Sequence, residues 1–156
     1  MENKGYTKVI AAGIITFRRT DRGLRFLLLY RAHGVWDFPR GRMEADERSW
    51  ETAFREVGEE TGLRKADLEI QKNFKAFEKF PYFRGKERIF KIIIFYLAET
   101  KKSEIKISAE HNGYAWFSYN EARHMLSRYK ARVGVLKKAL LYIKGPLPAD
   151  GPPASS

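Results

Sequence analysis

The sequence predicts an α/β fold built on a mixed sheet in a single domain. Strand-like and helix-like segments alternate along the chain. Several strand-like runs are joined by short polar turns, which gives hairpins and therefore some antiparallel pairs. With 156 residues, 44% hydrophobic and 14% aromatic, the chain has the length and apolar content of one packed domain.

The elements follow in order. Val9 to Arg18 is apolar and β-branched, with Gly13 inside it, and reads as a strand. Asp21-Arg22-Gly23 is a turn, and Leu24 to Tyr30 is the hairpin partner. Val35 to Pro39 is a short aromatic strand, followed by a loop over Gly41 to Ala45. Asp46 to Thr61 is a helix, with Asp46 as N-cap and Gly62 where a C-cap glycine belongs. Its Trp50, Ala53, Phe54 and Val57 recur at helical spacing and are expected to face the core. Leu68 to Phe83 and Arg88 to Ala98 are two β-rich runs around the polar turn Arg84-Gly85-Lys86-Glu87. Tyr114 to Tyr119 is a further strand, and Asn120 to Ser127 and Ala131 to Ile143 are helices. The domain is expected to span residues 1–144. Gly145 to Ser156 holds four of the six prolines and no apolar period, and reads as a flexible tail.

Composition excludes several classes. With no cysteine, disulfides, thiolate metal sites and cysteine nucleophiles are ruled out. That agrees with a reducing cytoplasm, the expected location. The longest strand-like apolar run, Ile92 to Ala98, is far short of the ~20 residues a membrane helix needs, so no membrane partner is expected. No secretory signal is visible at the N-terminus. The net charge is +11, yet Glu44 to Glu60 holds seven acids against two bases, so everything outside that window carries +16. A basic surface around one acidic cluster suits a polyanion bridged to the protein by metal ions; it equally suits simple solubility.

Chemistry concentrates in Gly41 to Leu63. On a helix, Glu56 lies one turn from both Glu59 and Glu60, which puts three carboxylates on one face, while Arg55 can pair with Glu59. Such carboxylates repel one another unless a positive charge sits among them, and an all-oxygen site of this kind suits Mg²⁺ or Mn²⁺.

Across this stretch the spacing is G-x5-E-x7-R-E-V-G-E-E-T-G-L, set by Gly41, Glu47, Arg55, Glu56, Val57, Glu59, Glu60, Gly62 and Leu63. It resembles, without departure, the signature of the Nudix hydrolases. The resemblance implies an α/β/α sandwich around a mixed sheet, with the signature as a loop-helix-loop. It also implies metal-dependent hydrolysis of a nucleoside diphosphate linked to another group. By this resemblance Glu56, Glu59 and Glu60 are metal ligands, the carbonyl of Gly41 is a further ligand, Arg55 orients a glutamate, and Glu47 supports.

Two flanking segments narrow the resemblance. Trp36-Asp37-Phe38-Pro39-Arg40-Gly41 looks like the W-x-x-P-K-G of diadenosine tetraphosphate hydrolases, with Arg40 in place of lysine. Glu110-His111-Asn112-Gly113-Tyr114-Ala115-Trp116 resembles the E-H-x-x-Y-x-W of the same enzymes, and Lys91 stands where they carry a phosphate-contacting lysine. The resemblance makes Glu110 a candidate metal ligand or base, and Arg40, Lys91 and His111 substrate contacts. Tyr82, Phe83 and Tyr114 read either as platforms for an adenine ring or as packing. The expected reaction is asymmetric cleavage of diadenosine tetraphosphate to ATP and AMP by water activated at Mg²⁺, with Mn²⁺ as substitute. The alternatives are an RNA 5′-pyrophosphohydrolase, another nucleotide pyrophosphatase, and a nucleotide-binding module without catalysis.

Overall fold

The computed structural model describes residues 5–145. The expected tail falls almost wholly outside them, as does Met1 to Lys4. Two long strands organise the rest. β1 (Thr7–Thr20) and β7 (Glu87–Glu99) run parallel side by side, Thr7 opposite Ile89 through Phe17 opposite Glu99. β2 (Gly23–Ala32) folds back on the far half of β1, and β3 (Val35–Asp37) and β8 (Gly113–Phe117) both pair with β2. β5 (Glu69–Ile70) and β6 (Ala76–Arg84) pair with β7 on its outer edge. The sheet has eight strands and is mixed, as expected.

Alternation along β1 and β7 builds two cores, one on each face. Ala11, Ile15, Phe17, Ile93, Phe95 and Leu97 pack beneath α2 (Tyr119–Met125) and α3 (Lys130–Lys144). Ala12, Ile14, Leu27, Leu29 and Ala98 pack beneath α1 (Ser49–Thr61). That is an α/β/α arrangement in one domain.

Three expectations need correction. Arg40–Arg42 is a strand, β4, antiparallel to β1, rather than part of a loop. Gly13 permits the approach: a Cβ there would lie 2.3 Å from the Pro39 carbonyl oxygen and 2.6 Å from Arg40 Cβ. The helix starts at Ser49, and Asp46 is not its cap but sits in the preceding loop at φ 69°. The loop is tied internally by Glu47, whose carboxylate accepts the Glu44 amide at 2.8 Å, and the Arg48 amide is taken by Glu51 at 2.8 Å. Trp50 is 41% exposed rather than buried, with Lys65 Nζ 5.1 Å from its ring centre. The apolar stripe of α1 is carried by Ala53 and Val57 instead, with Phe54 half-buried.

The run from Leu68 to Phe83 also divides. β5 and β6 are separated by a short connection through Asn73, which holds φ 64°.

Candidate active site

β4 is the partition around which the site is arranged. Side chains alternate on a strand, so Gly41 faces α1 while Arg40 and Arg42 face the other side. Against Gly41 lies the Glu56 carboxylate: a Cβ on Gly41 would be 2.0 Å from Glu56 Cδ. Only glycine permits so close an approach of backbone to carboxylate.

Arg55 ties the acidic side together. Its Nε donates to Glu47 Oε2 at 2.6 Å and its Nη2 to Glu47 Oε1 at 3.0 Å. Its Nη1 donates to Glu56 at 2.9 Å and to Glu59 at 3.4 Å. Nη2 also donates to the Arg42 carbonyl at 3.0 Å, fastening α1 to β4. Glu47 further accepts the Thr52 hydroxyl at 2.9 Å. The Arg55 bond, followed by the Glu44 amide, holds the Glu47 carboxyl down to about 2, and Glu47 in turn pushes the Arg55 guanidinium further up.

Glu60 is different. It is only 5% exposed, and burial followed by the neighbouring Glu56 charge pushes its carboxyl up to about 8. After burial and the Glu56 charge, the Arg40 backbone acts in the opposite sense and lowers the Glu60 pKa. His111 Nε2 stands 3.8 Å from Glu60 Oε2, while its Nδ1 lies 3.3 Å from the Ser108 hydroxyl. Burial and then the Arg31 charge lower the His111 pKa, so the ring is neutral at pH 7. Glu110 is exposed on the loop before β8, beside His111. Glu59 projects to solvent from the helix face.

The other side of β4 carries cations. Lys91, Arg40 and Arg42 lie close enough that burial and then the two arginines lower the Lys91 pKa. Phe80 faces Lys91 across the β6–β7 pair, and Tyr82 is next on that face. Phe83 therefore points to the opposite face and is separated from Lys91 by the sheet. Tyr114 lies on the α1 face, on β8 opposite Leu29. It borders a cavity of about 830 Å³ with Thr61 to Leu63 and Lys101 to Lys106. Apart from Phe83, the candidate residues thus lie on two sides of β4 rather than one.

A network not singled out in the sequence braces the cationic group. Arg132 of α3, 4% exposed, donates to Glu78 at 3.0 and 3.2 Å, and its Nη1 lies 3.0 Å from Asp37 Oδ2. Asp37 also accepts Arg40 Nε at 2.9 Å and the Phe38 amide at 2.7 Å. The signal existed: Arg132 falls in the apolar stripe with Val135, Leu136 and Ala139, and Glu78 alternates inward with Ala76 and Phe80.

The family model of the NUDIX domain matches residues 7–137. The chain belongs to the Nudix family. This Nudix hydrolase is 35% identical over 122 residues to the asymmetrical bis(5′-nucleosyl)-tetraphosphatase of Rattus norvegicus, covering 72% of this chain and 80% of the relative. It is 24% identical over 146 residues to an RNA pyrophosphohydrolase of Legionella pneumophila, covering 85% of this chain and 81% of the relative. Among solved structures it is similar to the C. elegans Ap4A hydrolase binary complex, with TM-score 0.74 and 25% identity over 86% of this chain and 97% of that one.

Nudix hydrolases generally use divalent metal ions and act on nucleotide polyphosphates. The Nudix carboxylates here fit such a cation chemically. The Glu56 carboxylate lies against the Gly41 backbone and its charge pushes up the pKa of buried Glu60, so the two keep both charges more readily beside a cation. Among the described residues no three carboxylates or imidazoles are already drawn together as a cage. Arg55 instead supplies the positive charge to Glu47, Glu56 and Glu59. No described helix is long and apolar enough to cross a membrane.

Proposed function

We propose that this protein hydrolyses dinucleoside polyphosphates and cuts diadenosine tetraphosphate asymmetrically to ATP and AMP. The observation that carries this reading is the placement on β4: Gly41 meets the acidic face of α1, while Arg40 and Arg42 meet Lys91 on the other side. One strand joins a cation-holding face to a phosphate-holding face. The similarity to the rat tetraphosphatase supports the choice of substrate.

Glu56, Glu59 and Glu60, with the Gly41 carbonyl, would hold Mg²⁺, with Mn²⁺ as substitute. The cation supplies neutralisation of phosphate charge and a lowered pKa for water. The chain's own residues do the rest. Arg55, locked by Glu47, fixes the rotamer of Glu56. Glu60, whose carboxyl keeps a proton to about pH 8 in the absence of cation, would give up that proton on holding Mg²⁺, with neutral His111 3.8 Å away. Glu110, exposed on the loop before β8 beside His111, is a further carboxylate for the cation or for proton transfer. Arg40, oriented by Asp37, and Lys91 grip successive phosphates, Arg40 with the forked geometry that lysine lacks. Tyr82 supplies a ring on the Lys91 face for one adenine. Tyr114 offers a ring on the other face for the second. Phe83 is left out, because it points away from Lys91.

The runner-up is RNA 5′-pyrophosphohydrolysis, favoured by the Legionella relative and by the basic surface. Product analysis separates the two. The protein is incubated with diadenosine tetraphosphate, with 5′-triphosphorylated RNA and with nucleoside triphosphates, each with Mg²⁺ and with chelator. Cation-dependent ATP plus AMP, at the highest kcat/KM of the set, is the expected result. Dominant release of phosphate or pyrophosphate from RNA would reverse the order of the two readings. No turnover of any of them would point to a binding module.

A further inference from the structure

The α1 face of the sheet is only partly covered. α1 lies over the middle of β1 and the nearby part of β7 and does not extend over β6. Beyond it, the side chains of β6 that face this way are Phe77, Lys79, Pro81 and Phe83, and those of β7 are Arg88 and Phe90. Phe83 is 69% exposed and Phe77 is 49% exposed, a degree of exposure a large aromatic side chain does not have in a packed core. Tyr6 is also exposed and lies against Phe90 with ring centres 5.7 Å apart. Tyr6, Pro81, Phe83, Arg88 and Phe90 border a cavity of about 570 Å³.

The charge around these rings is one-sided. Lys79 Nζ stands 5.7 Å from the Phe77 ring centre. Lys8, opposite Phe90 on β1, and Arg88, opposite Phe83, complete a basic fringe. Among the described residues none of Lys8, Lys79 and Arg88 is paired with a carboxylate. The acid at this end, Glu87, is already occupied by Arg84 at 2.8 Å and by the Thr7 hydroxyl at 2.7 Å.

Flat rings standing on a sheet with unpaired cations between them suit a chain of bases joined by phosphates. Every base offers a π-face and every link carries a negative charge. We propose that this face binds single-stranded nucleic acid, with bases stacked on Phe77 and Phe83 and the backbone held by Lys8, Lys79 and Arg88. The surface is separate from the Lys91 side, which lies on the reverse of the same two strands. The binding does not depend on which phosphoanhydride the enzyme cuts. A second copy of the chain adding a strand to the β6 edge is disfavoured by the edge itself. Lys79 and Pro81 lie on it, and both residue types blunt strand addition.

The test is fluorescence anisotropy with a labelled 12-nucleotide RNA bearing a 5′-hydroxyl, in chelator, so that nothing is hydrolysed. A perfectly paired duplex of the same length is the comparison. Single-stranded RNA is expected to bind more tightly than the duplex, and its affinity to fall steeply with salt. Phe77→Ala and Phe83→Ala are each expected to weaken binding about tenfold, within the range for losing one base stack. The double change Lys79→Ala/Arg88→Ala should lower the salt slope by about 1.4, at about 0.7 per phosphate contact. Hydrolysis of the dinucleotide by the Phe77→Ala protein should be unchanged. Two results would overturn the proposal. One is RNA binding that survives Phe77→Ala and Phe83→Ala but is lost on Arg123→Ala/Lys130→Ala, on the far side of the molecule. The other is a dimer, seen by light scattering, that dissociates on Phe77→Ala with no RNA bound.

Discussion

Three glutamates of the acidic site, Glu47 before α1 and Glu59 and Glu60 on it, have different environments, and the differences are chemical. Glu47 is ionised under all ordinary conditions because Arg55 and two other donors hold it. Glu60 is protonated without a cation because it is buried against Glu56. Glu59 is solvated and only loosely touched by Arg55. Glu60→Gln keeps the shape and the neutral state of this residue, so the fold should remain. Turnover should fall about 10²- to 10³-fold, the scale of removing one electrostatic stabiliser. Steady-state kinetics beside a thermal melt would check it; near-normal turnover would remove Glu60 from the proposed set. Arg55→Lys should be nearly as damaging, since an ammonium cannot reach Glu47, Glu56 and the Arg42 carbonyl together.

Among the elements, β4 and α3 have the largest consequences. Gly41→Ala places a methyl group into the Glu56 carboxylate. Glu56 must then leave its position on Arg55. The expected result is loss of turnover with little loss of stability, because Arg40–Arg42 keeps its ladder with β1. A fully active Gly41→Ala protein would show that the contact has no bearing on catalysis. Arg132→Met strands Glu78 as a buried charge without its partner and leaves Asp37 with Arg40 as its one cation among the described residues. Stability should drop by about 3–5 kcal/mol in a denaturant titration, and the KM should rise more than kcat falls, because Asp37, which orients Arg40, loses its brace. These elements also show what the sequence made legible. The long strands, the β6–β7 hairpin around Gly85 and both C-terminal helices follow from periodicity and turn residues. The helix signature located the acidic site. Missed were β4, which depends on Gly13 yielding space, and the true cap of α1. In both cases a contact between segments far apart in the chain overrides local preference. The apolar reading of Trp50 failed for a related cause: helical spacing gives the phase of a face but not where the helix stops covering the sheet.

For the whole molecule, stability should depend on pH in two opposite ways. In the folded protein Glu60 keeps its proton to about 8, against 4.5 for a free glutamate. Between those values the folded form binds more protons than the unfolded chain, so raising the pH favours unfolding. The metal-free protein should therefore lose melting temperature from pH 4.5 towards 8 and level off above. Mg²⁺ should remove most of that fall, since it stabilises the ionised carboxylates and binds only the folded state. Glu47 acts in the other sense: its carboxyl is held to about 2, so its stabilisation is lost as pH falls from 4.5 towards 2. Differential scanning fluorimetry across pH, with and without Mg²⁺, reads both limbs. A flat alkaline limb in chelator would mean that Glu60 ionises freely.

The clasp between Arg132 and Asp37 also has a temporal meaning. A ribosome releases Asp37 and Arg40 early, while Arg132 follows almost a whole domain later. Until α3 has docked, the segment that positions Arg40 has no buried cation to close against. The nascent polypeptide therefore carries its acidic signature well before it can grip a polyphosphate, and competence arrives with the last helix rather than growing gradually during synthesis.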